Sequence, residues 1–197
     1  MAWGGRIMGV GLVAALASGA VWAQEVVTKQ YDDGSVYEGT FRDGLQDGIG
    51  SYRLPSGFEY EGEWVKGQIE GKGRVRYANG SVYEGSFVAG KPEGAGKITY
   101  ADGSTYEGAW AAGAIAGRGK ATYANGQSYE GQFKDALPHG IGKMTWPDGY
   151  SYQGQWVAGE RQGHGRAVWA DGTVYLVEFR AGLREGKGRI TYPDGFT

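Results

Sequence analysis

The sequence contains no cysteine among its 197 residues. This absence excludes disulfide bonds, thiolate metal sites and cysteine nucleophiles together. Histidine is almost lacking too: His139 and His164 neither form an i, i+4 pair nor occupy equivalent places in the repeat described below. Because metal sites need clustered ligands, we expect no bound metal and interpret both histidines as exposed loop residues.

Positive charge is not in excess. The chain has 20 Lys and Arg residues against 22 Asp and Glu residues, a formal net charge of -2. Nucleic-acid binding needs clustered positive charge, so this balance argues against a nucleic-acid partner. Long apolar runs are also missing after residue 23, where no stretch is apolar enough to span a bilayer.

Residues 1–23 are predicted to be a signal peptide. Arg6 supplies the positive start, the uncharged run IMGVGLVAALASGAV follows, and Val21-Trp22-Ala23 fits the small-residue rule for cleavage. We therefore expect cleavage before Gln24 and an exported protein, periplasmic or secreted. No cysteine stands at the cleavage point, so a lipid anchor is not expected. An uncleaved amino-terminal anchor is the alternative.

Glycine and aromatic residues are abundant, and they follow a strict 23-residue period. Each unit is numbered from its tyrosine, which stands at Tyr37, Tyr60, Tyr83, Tyr106, Tyr129, Tyr152 and Tyr175. Position 5 holds a structural aromatic column: Phe41, Trp64, Phe87, Trp110, Phe133, Trp156 and Phe179. Position 18 holds Leu54, Tyr77, Tyr100, Tyr123, Trp146, Trp169 and Tyr192, and glycines recur at positions 3, 8, 12, 14 and 21. Such a period indicates a stacked array.

Within a unit, segments such as YEGSF and GKITY alternate inward and outward residues, which is typical of strands. The six or so residues between them predict a hairpin loop, and ADG, ANG or PDG predicts the turn into the next unit. The fold class is therefore all-β: an elongated single-layer antiparallel sheet of stacked 23-residue β-hairpins, roughly 65–70 Å long at ~4.8 Å per strand.

The pattern Tyr-Glu-Gly-x-Phe/Trp, then Gly-x-Gly, then Tyr-x-Asp-Gly resembles the MORN (membrane occupation and recognition nexus) repeat over Tyr31 to Thr197. The domains are then a signal peptide at 1–23, an amino-terminal cap and half-repeat at 24–36, and seven repeats at 37–197. The resemblance implies protein–protein scaffolding, often self-association, and a disputed role in binding phospholipid head groups. It implies no cofactor.

Two patterns that mimic catalytic sites have simpler interpretations. GAGKIT places Ile98 after Gly96-Lys97 and has no following helix, so it is not a phosphate loop. The glutamates at position 2 form a column of identical exposed sites, and an acid pair needs two different environments. We expect no enzyme activity, because catalytic groups are singular and almost every feature here repeats.

Charge gives one sharper hypothesis. Position 15 is basic in six units: Arg74, Lys97, Lys120, Lys143, Arg166 and Arg189. If each xDG turn is a three-residue loop, position 15 faces position 2 of the next unit, so that Arg74 meets Glu84. Later units have Gln153 and Leu176 at position 2, which leaves this column unpaired. The candidate residues for binding an anion, a lipid or a partner are Lys143, Arg166, Arg180, Arg184, Lys187 and Arg189.

The sequence thus predicts an exported, non-enzymatic scaffold that binds one or more proteins in the cell envelope. The alternative is a membrane-surface binder that uses the basic carboxyl-terminal repeats, and salt sensitivity would separate the two.

Two units depart from the pattern, with Ala136 at position 8 and Leu176-Val177 at positions 2 and 3. The carboxyl-terminal edge has no cap, so either it pairs with a second copy or the chain is a fragment.

Overall fold

The computed structural model describes residues 7–10 and 25–197. Fifteen antiparallel strands, β2 to β16, lie in one open sheet in the order of the sequence, and the short strand β1 pairs with β2. This confirms the all-β antiparallel class. The predicted signal peptide lies outside the described residues except for β1, and it stays a prediction.

The strands are β1 Ile7–Val10, β2 Val27–Gln30, β3 Val36–Arg42, β4 Leu45–Arg53, β5 Glu59–Val65, β6 Gln68–Arg76, β7 Val82–Val88, β8 Lys91–Thr99, β9 Thr105–Ala111, β10 Ala114–Thr122, β11 Ser128–Lys134, β12 Leu137–Thr145, β13 Ser151–Val157, β14 Glu160–Val168, β15 Val174–Arg180 and β16 Leu183–Thr191. The described residues include no helix long and apolar enough to cross a membrane. The chain divides within β8 into two compact units, the first ending at Glu93 and the second running from Gly94 to Thr197.

Both units are built from the same hairpin, and its loop is shorter than the sequence predicts. A seven-residue strand such as β9 is followed by two turn residues and then by a nine-residue strand such as β10. The turn residues Ala112 and Gly113 both have positive φ, 49° and 89°, as a tight two-residue hairpin turn requires. The prediction of a six-residue loop is wrong, because of its two glycine positions only position 8 lies in the turn, and position 12 belongs to the second strand.

One of those glycines, at position 12, forms a bulge inside the second strand. Gly117, for example, has a φ of 68°, and the register between β9 and β10 shifts between Ile115 and Gly119. The backbone at the bulge finds side-chain partners at position 4. Gln132 Oε1 accepts a hydrogen bond from Ile141 N at 3.1 Å, as Glu63 does from Lys72 N in the first unit.

The turn between hairpins is held by its Asp or Asn at position 20. The Asp102 carboxylate accepts a hydrogen bond from Ser104 N at 2.9 Å, and Gly103 N donates to Tyr100 O at 3.0 Å. The same side-chain contact recurs at Asp33, Asn79, Asn125, Asp148, Asp171 and Asp194. The xDG turn predicted from the sequence is therefore an Asx turn.

Aromatic rings line one face of the sheet in each unit. In the first unit, Tyr60 makes edge-to-face contacts with Trp64 of its own repeat at 5.3 Å and with Phe87 of the next repeat at 5.5 Å. In the second unit, Tyr129 repeats this arrangement with Phe133 and Trp156, at 5.0 and 5.4 Å. Such ring pairs are favourable beyond the area they bury. Within each unit, the position-5 column thus links successive hairpins.

The third predicted column, position 18, is not part of this buried ladder. Tyr100 is 37% exposed and Tyr192 is 44% exposed, whereas the tyrosines at position 1 from Tyr37 to Tyr152 are almost completely buried. The physical reason is that position 18 begins the turn, where its backbone bonds across the loop. The prediction that Tyr100 points into a core is therefore wrong.

Candidate partner-binding surfaces

The two faces of the sheet carry different chemistry. Positions 1, 5 and 16 lie on the aromatic face, where Tyr106, Trp110 and Ala121 are buried. Positions 2, 4, 13 and 15 lie on the opposite, polar face, since neighbouring residues of a strand point to opposite sides. Glu107 and Lys120, at positions 2 and 15, are both exposed there. Any partner therefore meets either rings or charges.

The predicted cross-strand register on the polar face is confirmed. Arg74 lies opposite Glu84, and Lys120 lies opposite Glu130. Lys97 likewise lies opposite Glu107. Arg74 Nε and Glu84 Oε1 are 3.1 Å apart, although both side chains remain half exposed. The turn length thus sets which charges meet.

Each strand also has a second neighbour, and this changes the interpretation of Lys143. Lys143 lies opposite Gln153 on one side, as predicted, but opposite Glu130 on the other. Lys143 therefore has one acidic neighbour in register, Glu130, which the prediction did not consider. Arg166 differs, because it lies between Gln153 and Leu176, and neither of these is acidic.

The remaining basic candidates are not all brought together. Arg180 Nε pairs with Glu185 Oε2 at 2.9 Å, so its charge is already matched. The Arg184 guanidinium lies 5.5 Å from the ring centre of Tyr175, on the aromatic face. Lys187 and Arg189 line a polar-face groove with Arg166. The structure therefore brings three of the six candidates together in one groove.

This groove, which we call the basic groove, has a volume of about 740 Å³ and lies wholly in the second unit. Its polar lining residues are Gln153, His164, Arg166, Lys187 and Arg189, and its apolar ones are Ile141, Leu176 and Val177. Leu176 is 49% exposed at a position where five other repeats carry glutamate. An anion that enters this groove meets cations and an exposed apolar surface together.

A second recess lies on the aromatic face of the first unit, and the sequence did not predict it. We call it the aromatic recess; its volume is about 630 Å³, and Tyr31, Tyr52, Trp64, Leu45 and Gln46 are among the residues that line it. The Tyr31 and Tyr52 rings are 6.4 Å apart edge to face, and Tyr52 and Trp64 are 6.1 Å apart. It is a ring-lined depression with polar groups at its border.

Polar contacts fix the walls of the aromatic recess. Gln46 Nε2 donates a hydrogen bond to Tyr31 Oη at 2.9 Å, and Trp64 Nε1 donates to Gly50 O at 3.2 Å. Lys29 Nζ lies 5.0 Å from the Tyr31 ring centre, within the range of a cation–π contact. Burial raises the pKa of Tyr31, the charge of Tyr52 adds to this, and the Gln46 hydrogen bond opposes it.

The sequence indicates the aromatic recess only by two residues of the first repeat that depart from the repeat pattern. Position 16 holds Tyr52 where the next repeats have Val75 and Ile98, and position 10 holds Gln46 where the next have Ile69 and Pro92. Ile98 and Pro92 are buried and fill the face. A search for what recurs overlooks such single departures, although they are what shapes the recess.

The part of the chain described contains no cluster of side chains suited to a metal ion. Among residues 7–10 and 25–197, no three His, Asp or Glu side chains come together as a metal-binding cluster. His139 and His164 lie in strands β12 and β14 rather than in the predicted loops, and His139 is half buried. The predicted loop location is wrong for both because the loop is shorter than expected, whereas His164 is exposed, as predicted.

Comparison with known families identifies the fold. The sequence matches the MORN repeat family at residues 37–58, 60–82, 83–105, 106–128, 129–149, 152–174 and 178–197. These matches cover most of the chain, and the chain belongs to the MORN repeat family. They agree with the seven predicted units. A search of curated protein sequences gives no significant match.

One solved structure supports the same kind of sheet. The Drosophila melanogaster SAS-4 (dCPAP) TCP domain, in complex with a proline-rich motif of Ana2 (dSTIL), is 13% identical with a TM-score of 0.51, and the match covers 87% of this chain and 99% of that one. The TCP10 domain of Danio rerio CPAP, in complex with a STIL peptide, is 12% identical with a TM-score of 0.48, covering 83% of this chain and 75% of that one.

Proposed function

We propose that this protein is an exported, non-enzymatic scaffold that binds partner proteins in the cell envelope, and that its aromatic recess takes an extended, proline-rich segment. The observation that carries the proposal is the ring-lined recess at Tyr31, Tyr52 and Trp64, which is left open where later repeats are filled. Open aromatic grooves with few polar groups are typical binding sites for polyproline II segments. The fold family supports an interaction role.

The spacing of the repeat suits such a ligand. Successive hairpins add two strands, so equivalent positions recur about every 9.6 Å across the sheet. A polyproline II helix advances about 9.3 Å in three residues. A proline-rich segment that crosses the strands therefore presents an equivalent side chain to each successive hairpin. The Drosophila TCP domain, which has the same kind of sheet, was solved with a proline-rich motif, and this guides the choice of probe.

The test measures binding of a fluorescently labelled proline-rich peptide by anisotropy. Tyr52→Val and Gln46→Ile place in the first repeat the residues found at Val75 and Ile69, so they remove the Tyr52 ring and the Gln46 amide from the recess without altering the repeat pattern. We expect each to weaken binding at least about tenfold, which corresponds to about 1.4 kcal/mol. Met144→Val, at the same position in the second unit, should leave binding unchanged. Equal affinity in all variants would contradict the proposal.

Export is tested separately. Cell fractionation with amino-terminal sequencing of the recovered protein should find it in the periplasm or the medium, beginning at Gln24. Recovery of the intact amino terminus with the membrane fraction would instead support the uncleaved anchor. Crosslinking in cells followed by a pull-down would then identify partner proteins of the mature chain and detect a second copy of it.

Membrane-surface binding is the second candidate, and the cluster of Arg166, Lys187 and Arg189 favours it. Exposed cations attract anionic head groups, and this attraction falls steeply with ionic strength. Sedimentation with phosphatidylglycerol vesicles at low and physiological salt measures it. Binding at low salt that is lost on reversing Arg166 and Arg189 to Glu would favour the membrane role over the scaffold role.

A further inference from the structure

The basic groove has the form of a trough between two rows of side chains. Arg166, Leu176 and Arg189 stand in one row, at positions 15 and 2, and His164 and Lys187, both at position 13, stand in the other, where Glu178 at position 4 lies opposite His164. The glycines Gly154, Gly165 and Gly188 also line it, and they contribute only backbone. The trough therefore runs across the strands, with a floor that a narrow ligand can reach.

Charge in the trough is of one sign. None of its lining residues is acidic, while three are Arg or Lys. The nearest acids in register are Glu178, which lies opposite His164 and Glu185, and Glu130, which lies opposite Lys143. Glu185 is engaged by Arg180. A ligand that stays within the trough thus meets the cations before it meets these carboxylates.

The apolar side chains restrict the ligand further. Leu176 and Ile141 are 49% and 55% exposed, so each offers about half of its surface to a partner. The trough crosses β12 to β16, which is about 19 Å at ~4.8 Å per strand, and this length accommodates about six residues of extended chain. We infer that the basic groove binds an acidic polypeptide segment in an extended conformation that carries an apolar side chain.

The geometry favours a polypeptide over a bilayer. A membrane surface is broad, so it would also meet the carboxylates of Glu130 and Glu178 at the sides of the trough, and these would repel anionic lipid within a Debye length of about 8 Å at physiological salt. A single chain avoids them. It also reaches the glycine floor, where no side chain blocks its approach. Charge complementarity then fixes which segments bind.

This inference rests on the proposed scaffold function, but it uses the other face and the other unit of the chain. The two can therefore fail independently. The recess variants Tyr52→Val and Gln46→Ile leave the groove intact, and the groove variants below leave the recess intact. Loss of both activities in the same variant would indicate unfolding, which far-ultraviolet circular dichroism detects.

The experiment titrates the mature protein into a labelled peptide of about eight residues, rich in glutamate with a central leucine, and follows anisotropy. The decisive variant is Leu176→Glu. It restores the glutamate that five other repeats carry at this position, so it should fold normally while placing an acid between Arg166 and Arg189. We expect at least a tenfold rise in the dissociation constant, on the order of 1.4 kcal/mol.

Two controls introduce glutamate elsewhere, and each makes the protein more negative than Leu176→Glu does. Arg184→Glu alters a cation of the same repeat on the aromatic face, and Lys120→Glu alters position 15 where Glu107 and Glu130 already flank it. Both should retain peptide binding, and a peptide with glutamine in place of glutamate should not bind. The inference is overturned if the acidic peptide does not bind, if Arg184→Glu weakens it as much as Leu176→Glu, or if only phosphatidylglycerol vesicles bind.

Discussion

Tyr106 lies directly against Gly119: a Cβ atom built on this glycine would lie 2.5 Å from the phenol oxygen of Tyr106. The ring is only 1% exposed, and its hydroxyl donates to Ala109 O at 2.9 Å, so it has little freedom to move away. Gly108, on the neighbouring strand, is equally close to the same oxygen at 2.6 Å. The two glycine columns are therefore the space into which the tyrosine column packs.

Gly119→Ala should consequently destabilise the second unit by about 1–3 kcal/mol, the usual cost of overpacking. The control is Gly182→Ala, because Gly182 has open space around it and Ala136 already occupies the same position of the unit with positive φ. Its cost should be at most about 1 kcal/mol. Urea unfolding of both variants measures the difference, and equal losses would contradict the packing role of Gly119.

Trp110→Ala tests the position-5 column. The side chain is 7% exposed, its indole N–H donates to Gly96 O at 3.2 Å, and its ring lies 5.7 Å from Tyr106. Removing a buried Trp costs about 3–5 kcal/mol. Trp110→Phe keeps a ring of the kind found at Phe133 and should cost only about 1 kcal/mol for the lost hydrogen bond. Wild-type thermal unfolding of the alanine variant would refute the column.

The period of the sequence predicted most of the fold because the same few residues fix each hairpin. The tyrosine spacing and the xDG turns gave the strand order and the register that places Arg74 opposite Glu84. The hairpin loop was overestimated because glycine at position 12 is ambiguous: Gly117 could belong to a loop or to a bulge. Only the register shift between Ile115 and Gly119 distinguishes them.

The surfaces were harder to predict because they depend on exceptions and on both neighbours of a strand. Tyr52 and Gln46 each look like ordinary variation until the fold brings them together at one recess. Lys143 looked unpaired because a sequence argument followed one neighbour, Gln153, and not the other, Glu130. Leu176, by contrast, stands out in the sequence and lies in the groove.

The Arg74–Glu84 pair should contribute little to stability although its geometry is good. Both side chains are at least 50% exposed, so water screens the 3.1 Å contact. A double-mutant cycle with Arg74→Ala and Glu84→Ala should give a coupling energy below about 1 kcal/mol, and the coupling should fall further in high salt. A value of several kcal/mol would indicate that these residues are less hydrated than their exposure implies.

Asn79 tests the Asx turns. Its side-chain oxygen accepts a hydrogen bond from the backbone N–H of Ser81, a residue only 3% exposed. Asn79→Ala leaves that donor without its partner and should cost about 1 kcal/mol. Asn79→Asp keeps the acceptor, as Asp102 does in the next turn, and should be nearly neutral. Equal stability of the two variants in urea would show that the turn does not need the side chain.

The buried tyrosines should make the protein sensitive to alkali. Burial raises the pKa of Tyr37, Tyr83 and Tyr129 to about 12, whereas a tyrosine in an unfolded chain has a pKa near 10. Between these values the folded protein binds more protons than the unfolded one, so its stability falls as pH rises. The stabilisation is complete below about pH 10 and lost through about pH 12. Urea unfolding across this range, with tyrosinate absorbance, should show ionisation together with unfolding.

Tyr129→Phe provides the control for that titration. It removes one ionisable group while keeping the ring, so the free energy of unfolding should fall less steeply with pH than in the wild type, even if the variant is less stable at neutral pH. The lost contacts are those from the hydroxyl to Gln132 O and His139 O, at 3.1 and 3.3 Å. If every tyrosine ionised near pH 10 with the sheet still folded, the position-1 rings could not be buried as described. This result would also contradict the packing of Tyr106 against Gly119.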